Sequence, residues 1–150
     1  MNYSLYDFGG GPHGGHFDDL ADADPDATLV EVRLYADKRY VHGLLYRFDD
    51  GRVYAHGLMA PQGGESFILE DGETLIKIGA GVDKLGPAYH GKTQIAGLTL
   101  TTDKRNVHLG PGGVQYTELD LRAVDRVRKI TGFKGRADEV IYALTVAFTG

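Results

Sequence analysis

One turn, written three times, constrains this chain more than anything else in it. The first copy is Gly11-Pro12-His13-Gly14-Gly15-His16-Phe17-Asp18-Asp19. The second is Pro61-Gln62-Gly63-Gly64-Glu65-Ser66-Phe67, and the third is Pro111-Gly112-Gly113-Val114-Gln115-Tyr116. Gly14, Gly63 and Gly112 stand 49 residues apart in both intervals, each with a proline shortly before it and an aromatic residue shortly after. Paired glycines adopt backbone angles closed to other residues and let a second molecule approach the main chain. Proline fixes one dihedral and narrows the set of turns on offer. Three copies at one period predict an internally symmetric fold.

A second repeat has a different consensus. His42 to Phe48, Ala96 to Thr102 and Tyr142 to Phe148 align position by position: a variable residue, then Gly43, Gly97 or Ala143, then a leucine, then an alternating strand. The small residues predict crowding near a common axis. Between the repeats, Thr28 to Tyr35 alternates, with Val30, Val32 and Leu34 on one face and Glu31 and Arg33 on the other. Asp49-Asp50-Gly51 marks a hairpin between Tyr40–Phe48 and Arg52–Gly57. Strands are also predicted near 1–10, 67–69, 74–78, 94–101, 107–109, 116–119, 127–130 and 139–148. Gly79 to Gly91 reads as a glycine-rich loop, and Leu121 to Arg128 as strand or loop. About twelve short strands without a helical pattern predict an all-β fold of three four-stranded, Greek-key-like sheets, apolar faces inward, about a pseudo-threefold axis.

Composition closes off several functions. At 150 residues the chain is read as one domain, 1–150, long enough to bury a core. Its formal net charge of −5 argues against a partner read through phosphates, so nucleic acid is not expected. With no cysteine, disulfides, thiol catalysis and thiolate-held zinc are excluded. No apolar run is long enough to predict membrane insertion. The N-terminus shows no basic segment followed by an apolar core, so the expectation is a cytoplasmic or non-classically exported protein. No cofactor is expected. His13, His16, Asp18 and Asp19 fit no zinc spacing. Asp22, Asp24 and Asp26 lack the glycine and closing glutamate of a calcium loop. No Ser, His and acid constellation announces a hydrolase, and an enzyme is the least supported class.

The same segments carry a family resemblance. The first glycine turn, Glu70-Asp71-Gly72-Glu73-Thr74-Leu75-Ile76-Lys77-Ile78, Leu98 to Arg105 followed by Gly110-Pro111, and Thr131-Gly132-Phe133-Lys134-Gly135-Arg136 together resemble the jacalin-related lectins over nearly the whole length. The resemblance implies a type I β-prism and non-catalytic carbohydrate binding. It places the sugar site at Gly14 and Gly15 and at a Gly-x-x-x-Asp turn, here Asp138, Glu139, Val140 and Tyr142. In such a site glycine exposes backbone N–H groups, and the aspartate accepts two sugar hydroxyls with charge assistance. This chain departs there: Asp138 falls on the motif's glycine and Tyr142 on its aspartate, while the corresponding positions of the other repeats are His42 and Ala96. Tyr142 then either lines a shifted sugar site by stacking or hydrogen bonding, or is a surface tyrosine in a site that has lost its ligand. Asp138 and Glu139 are candidates for the missing carboxylate. The expected partners are glycans, oligosaccharide or multivalently presented, with room for a homo-oligomer. The alternative is a prism kept for protein interaction or structure. A pocket between Gly14, Gly15 and the 139–142 turn favours the lectin; a filled surface there favours the alternative.

Overall fold

Period-two alternation of β-branched and aromatic residues between glycine and aspartate turns becomes strand after strand. The computed structural model describes residues 3–60, 64–84, 92–111 and 115–149. Among these there is no helix, and twelve strands follow in order: β1 Tyr3–Gly10, β2 Gly15–Asp18, β3 Leu29–Ala36, β4 Val41–Phe48, β5 Val53–Gly57, β6 Glu65–Ile68, β7 Leu75–Lys84, β8 Thr93–Thr102, β9 Asn106–Leu109, β10 Gln115–Asp120, β11 Ile130–Ala137 and β12 Ile141–Thr149. They make three antiparallel sheets ordered β1-β12-β11-β2, β5-β4-β3-β6 and β10-β7-β8-β9. Each is a Greek key around a central hairpin. The first is closed by both ends of the chain, since β1 and β2 flank β12 and β11.

The threefold repeat extends to irregularities. Each central hairpin slips register twice, once at its start (Leu29/Glu31, Leu75/Lys77, Ile130/Gly132) and once near its end (Tyr35/Ala36, Gly81/Val82, Arg136/Ala137). Bulges increase local twist, so these six let three short sheets curl around one core. Val32, Leu34, Tyr46 and Phe48 meet Ile78, Leu98 and Leu100, and Phe133, Leu144 and Val146, in one buried cluster. The first bulge explains one departure from the simple alternation. Leu29, Val32 and Leu34 are buried, but Val30 is displaced to a half-exposed position.

Three further expectations are corrected. Gly79 and Gly81 are not loop but lie inside β7, and at Gly79 the neighbours leave no room for a side chain. A Cβ on Gly79 would stand 2.5 Å from the Thr99 hydroxyl. The 127–130 strand is instead β11, Ile130–Ala137, which contains Gly132 and Gly135, and the aromatic after the first glycine pair, Phe17, lies in a strand of its own, β2. The small residues Gly43, Gly97 and Ala143 are crowded, but not at the axis. Their leucine neighbours Leu44, Leu98 and Leu144 fill the core. A Cβ on Gly43 would stand 2.5 Å from the Leu58 carbonyl oxygen. The 121–128 segment is a tight turn with one bridge, Arg122 to Val127.

The second and third glycine pairs precede β6 and β10, as the first precedes β2. Gly63, Gly112 and Gly113 themselves, and residues 85–91 of the expected glycine loop, lie outside the described residues.

Candidate functional site

Three glycines that the sequence repeats did not mark turn the chain at corresponding corners of the three sheets, and Gly10 does so where the first turn meets the last strand. Gly10 and Gly57 end β1 and β5 and Gly110 directly follows β9, with φ of 114°, 84° and 90°. A Cβ on them would stand 2.0, 2.3 and 3.0 Å from the carbonyl oxygens of Tyr142, His42 and Ala96. Positive φ and contact with a neighbouring carbonyl both demand glycine. Past Gly10 the chain is drawn over β12 by a hydrogen bond from Gly11 N–H to the Tyr142 carbonyl (2.9 Å). Gly14 (φ 77°) then turns it into β2, whose first residue, Gly15, pairs with Ala137.

Gly14, Gly15, Asp138, Glu139, Val140 and Tyr142 therefore meet at one corner, and their roles there differ. Gly14, Gly15, Asp138 and Glu139 reach the surface. Val140 is fully buried and Tyr142 is 2% exposed, so Tyr142 is not the surface tyrosine one reading assumed. Its ring fills the corner from inside. A Cβ on Gly14 would touch Tyr142 Cδ2 at 2.9 Å, the His13 ring meets it edge-on at 5.7 Å, and Lys92 Nζ lies 5.8 Å from its centroid. Tyr40 packs on the Val140–Tyr142 pair from the second sheet.

Asp138 turns its carboxylate inward on its own turn. Oδ1 accepts the backbone N–H of Glu139 and, at 3.4 Å, that of Val140, while Asp138 N–H donates to the Val140 carbonyl (3.1 Å). Two backbone donors that a glycine at 138 would leave open are thus held by the protein's own oxygen. His42 ties this turn to the second sheet. One ring nitrogen is 2.8 Å from the Glu139 carbonyl oxygen and the other 2.9 Å from Asp37 Oδ2. Burial pushes the Asp37 carboxyl up, but the His42 bond and the N–H groups of Arg39 and Tyr40 outweigh it and hold the group below its usual value. The sequence points to His42 only as a repeat position and to His13 only as part of the first turn; Tyr40 and Lys92 carry no motif.

The remaining candidate ligands separate. His13 sits on Tyr142, and His16 is exposed on β2. Asp18 accepts the Leu20 N–H (3.0 Å). Asp19 sinks between the first two sheets, accepting the Tyr46 hydroxyl at 2.5 Å with His56 Nε2 at 2.5 Å, while His56 stacks on Phe17. Burial and the adjacent Asp19 push the Tyr46 phenol well above its ordinary pKa, so it stays a neutral donor. Asp22 accepts the Tyr54 hydroxyl (2.6 Å) and Asp24 the Asp26 N–H (2.9 Å). Among the described residues no group of three His, Asp or Glu side chains could hold a metal ion.

With this geometry in place, the comparisons are specific. The model of the jacalin-like lectin domain matches residues 6–147. Among solved structures, a mannose-binding jacalin-related lectin from Ananas comosus is 20% identical, with 97% of each chain covered and a TM-score of 0.73. Wild-type Malaysian banana lectin is 25% identical, covering 97% of this chain and 95% of its own, with a TM-score of 0.71. Artocarpin, a lectin with mannose specificity, is 18% identical, covering 100% of this chain and 99% of its own, with a TM-score of 0.78. No curated protein matches the sequence.

Proposed function

Because the chain belongs to the jacalin-like lectin domain family, we propose that it is a non-catalytic carbohydrate-binding protein whose first-turn site lacks the family's carboxylate. The observation that carries this reading is the family match across 142 consecutive positions, 6–147, on a complete three-sheet prism. At the corner, Tyr142 stands where an aspartate would accept two hydroxyls, and Asp138 occupies the neighbouring backbone donors. Loss of a charged hydrogen-bond partner costs about 1.5–3 kcal/mol, roughly one to two decades in affinity. A monosaccharide site that starts near millimolar drops out of reach. The ligands proposed are therefore larger glycans, or glycans presented multivalently so that avidity across a homo-oligomer restores binding.

One observation favours a second reading. Tyr142, at 2% exposed, fills the space between Gly14 and the 139–142 turn, which suits a prism kept for protein interaction or structure.

Calorimetry with methyl mannoside tests the site. The unmodified protein gives no saturable heat, whereas the double variant Tyr142→Asp, Asp138→Gly, which restores the carboxylate and frees the backbone donors, gains it. Saturable heat from the unmodified protein would refute the loss of the simple-sugar site.

A further inference from the structure

Beside that corner, the outward face of the first sheet carries a trough of about 300 Å³, at the lower end of the range for small-molecule pockets, about 300–1,000 Å³. Its floor is almost without side chains: Gly9, Gly10, Gly135 and Ala143 line it. Two rows of residues cross the four strands. In one, Asp7 pairs with Thr145, Thr145 with Lys134 and Lys134 with Asp18; in the other, Gly10 pairs with Ala143, Ala143 with Arg136 and Arg136 with His16. The walls thus bring two cations, an imidazole, a hydroxyl and the Asp7 carboxylate onto one narrow surface, with the Asp18 carboxylate at the end of the first row.

Several of these groups have hydrogen-bonding capacity to spare. The side chains of Lys134 and His16 make no hydrogen bond or ion pair among the described residues. Arg136 spends one donor, Nη1, on the Gly14 carbonyl (3.2 Å), and that bond holds its five-donor fork beside the trough. Asp7 is committed through Oδ1, which accepts Gly9 N–H at 2.8 Å and the Thr145 hydroxyl at 3.4 Å.

The fold itself does not call for this chemistry. In the second sheet the positions matching Lys134 and Arg136 are Arg33 and Tyr35, and Arg33 is paired with Glu31 at 3.2 Å. In the third they are Gly79 and Gly81. One sheet of the three has therefore acquired an uncommitted cation over a glycine floor.

We propose that this trough binds an acidic saccharide, with a uronate carboxylate between Lys134 and Arg136 and ring hydroxyls facing Thr145, His16 and Asp7. Glycine and alanine let a flat ring lie close to the sheet, and a carboxylate matches the arginine fork with charge assistance. The site rests on the glycan-binding reading above and moves the ligand from the closed corner to the adjacent sheet face.

Calorimetry on the full chain, with trigalacturonate as probe and mannotriose and triglutamate as controls, tests it. Trigalacturonate binds the parent, and Lys134→Glu weakens it at least tenfold while the thermal melt stays unchanged; Lys134→Arg retains binding. Mannotriose binding as well as trigalacturonate, and indifferent to Lys134→Glu, would overturn this site and leave the lectin reading standing. Triglutamate binding equally well would show a mere anion patch and also overturn it. Silence from both sugars and from a broad glycan array would bring down both readings together.

Discussion

At the scale of single residues, one buried hydroxyl, that of Tyr46, holds two sheets together. Tyr46 is fully buried; it donates to Asp19 and accepts the Phe133 N–H at 3.3 Å, so one hydroxyl joins the first and second sheets. Tyr46→Phe leaves both partners without it, a cost of about 1–3 kcal/mol, read as a lower denaturation midpoint in urea. An unchanged midpoint would mean that water takes the place of the hydroxyl. Sequence reasoning found the residues of the candidate corner but not their posture. Nothing in Asp138-Glu139-Val140-Ile141-Tyr142 says which way the tyrosine faces. That depends on Gly14 and His13, more than a hundred residues earlier, and on Tyr40 from another sheet.

Among elements, the turns were more legible than the strands. Asp-Gly hairpins and glycine pairs are local signals, so their positions follow from the chain alone. The glycines inside β7 and β11 misled because their cause is a neighbouring strand, not their own backbone. Gly57 is fixed on both counts: Gly57→Ala places a Cβ 2.3 Å from the His42 carbonyl oxygen at φ 84°. Strain at such a position costs about 1–3 kcal/mol, expected as a clear drop in Tm, and a melt that matches the parent would contradict the packing described.

The turn before β7 is clamped to the β8–β9 turn by an ion pair whose carboxylate is buried and whose guanidinium is half-exposed. Glu73 accepts Arg105 Nε at 2.8 Å and Nη2 at 3.1 Å, the Thr102 hydroxyl at 2.6 Å and the Glu70 N–H at 2.9 Å. The Arg105 bond is the main reason that the Glu73 carboxyl is lowered from 4.5 to about 2. A carboxylate whose folded pKa is depressed stabilises the fold above its unfolded pKa and loses that contribution as pH falls through the folded one. The stability gap between the parent and Glu73→Gln should thus be full above pH 4.5 and shrink as the pH falls toward 2. Denaturation midpoints at pH 7, 4.5 and 2.5 measure it; a gap that does not change with pH would remove Glu73 from the acid response.

Over the whole molecule, threefold symmetry is kept in the backbone and abandoned at the surface. Bulges and positive-φ glycines recur in all three sheets, because closing three short sheets on one core requires the same bends each time. The matching corner positions, Tyr142, His42 and Ala96, share no chemistry: one fills a corner, one ties two sheets together, and one is a buried alanine. Fold was therefore readable from repetition, whereas function lies in what is not repeated. The most direct test of a carbohydrate-binding role is a glycan array at neutral pH with the intact protein, carrying free-mannose-like monosaccharides, neutral oligosaccharides and uronates. Binding to extended glycans, strongest on uronates and absent on monosaccharides, is the predicted result; an array with no bound glycan would contradict it.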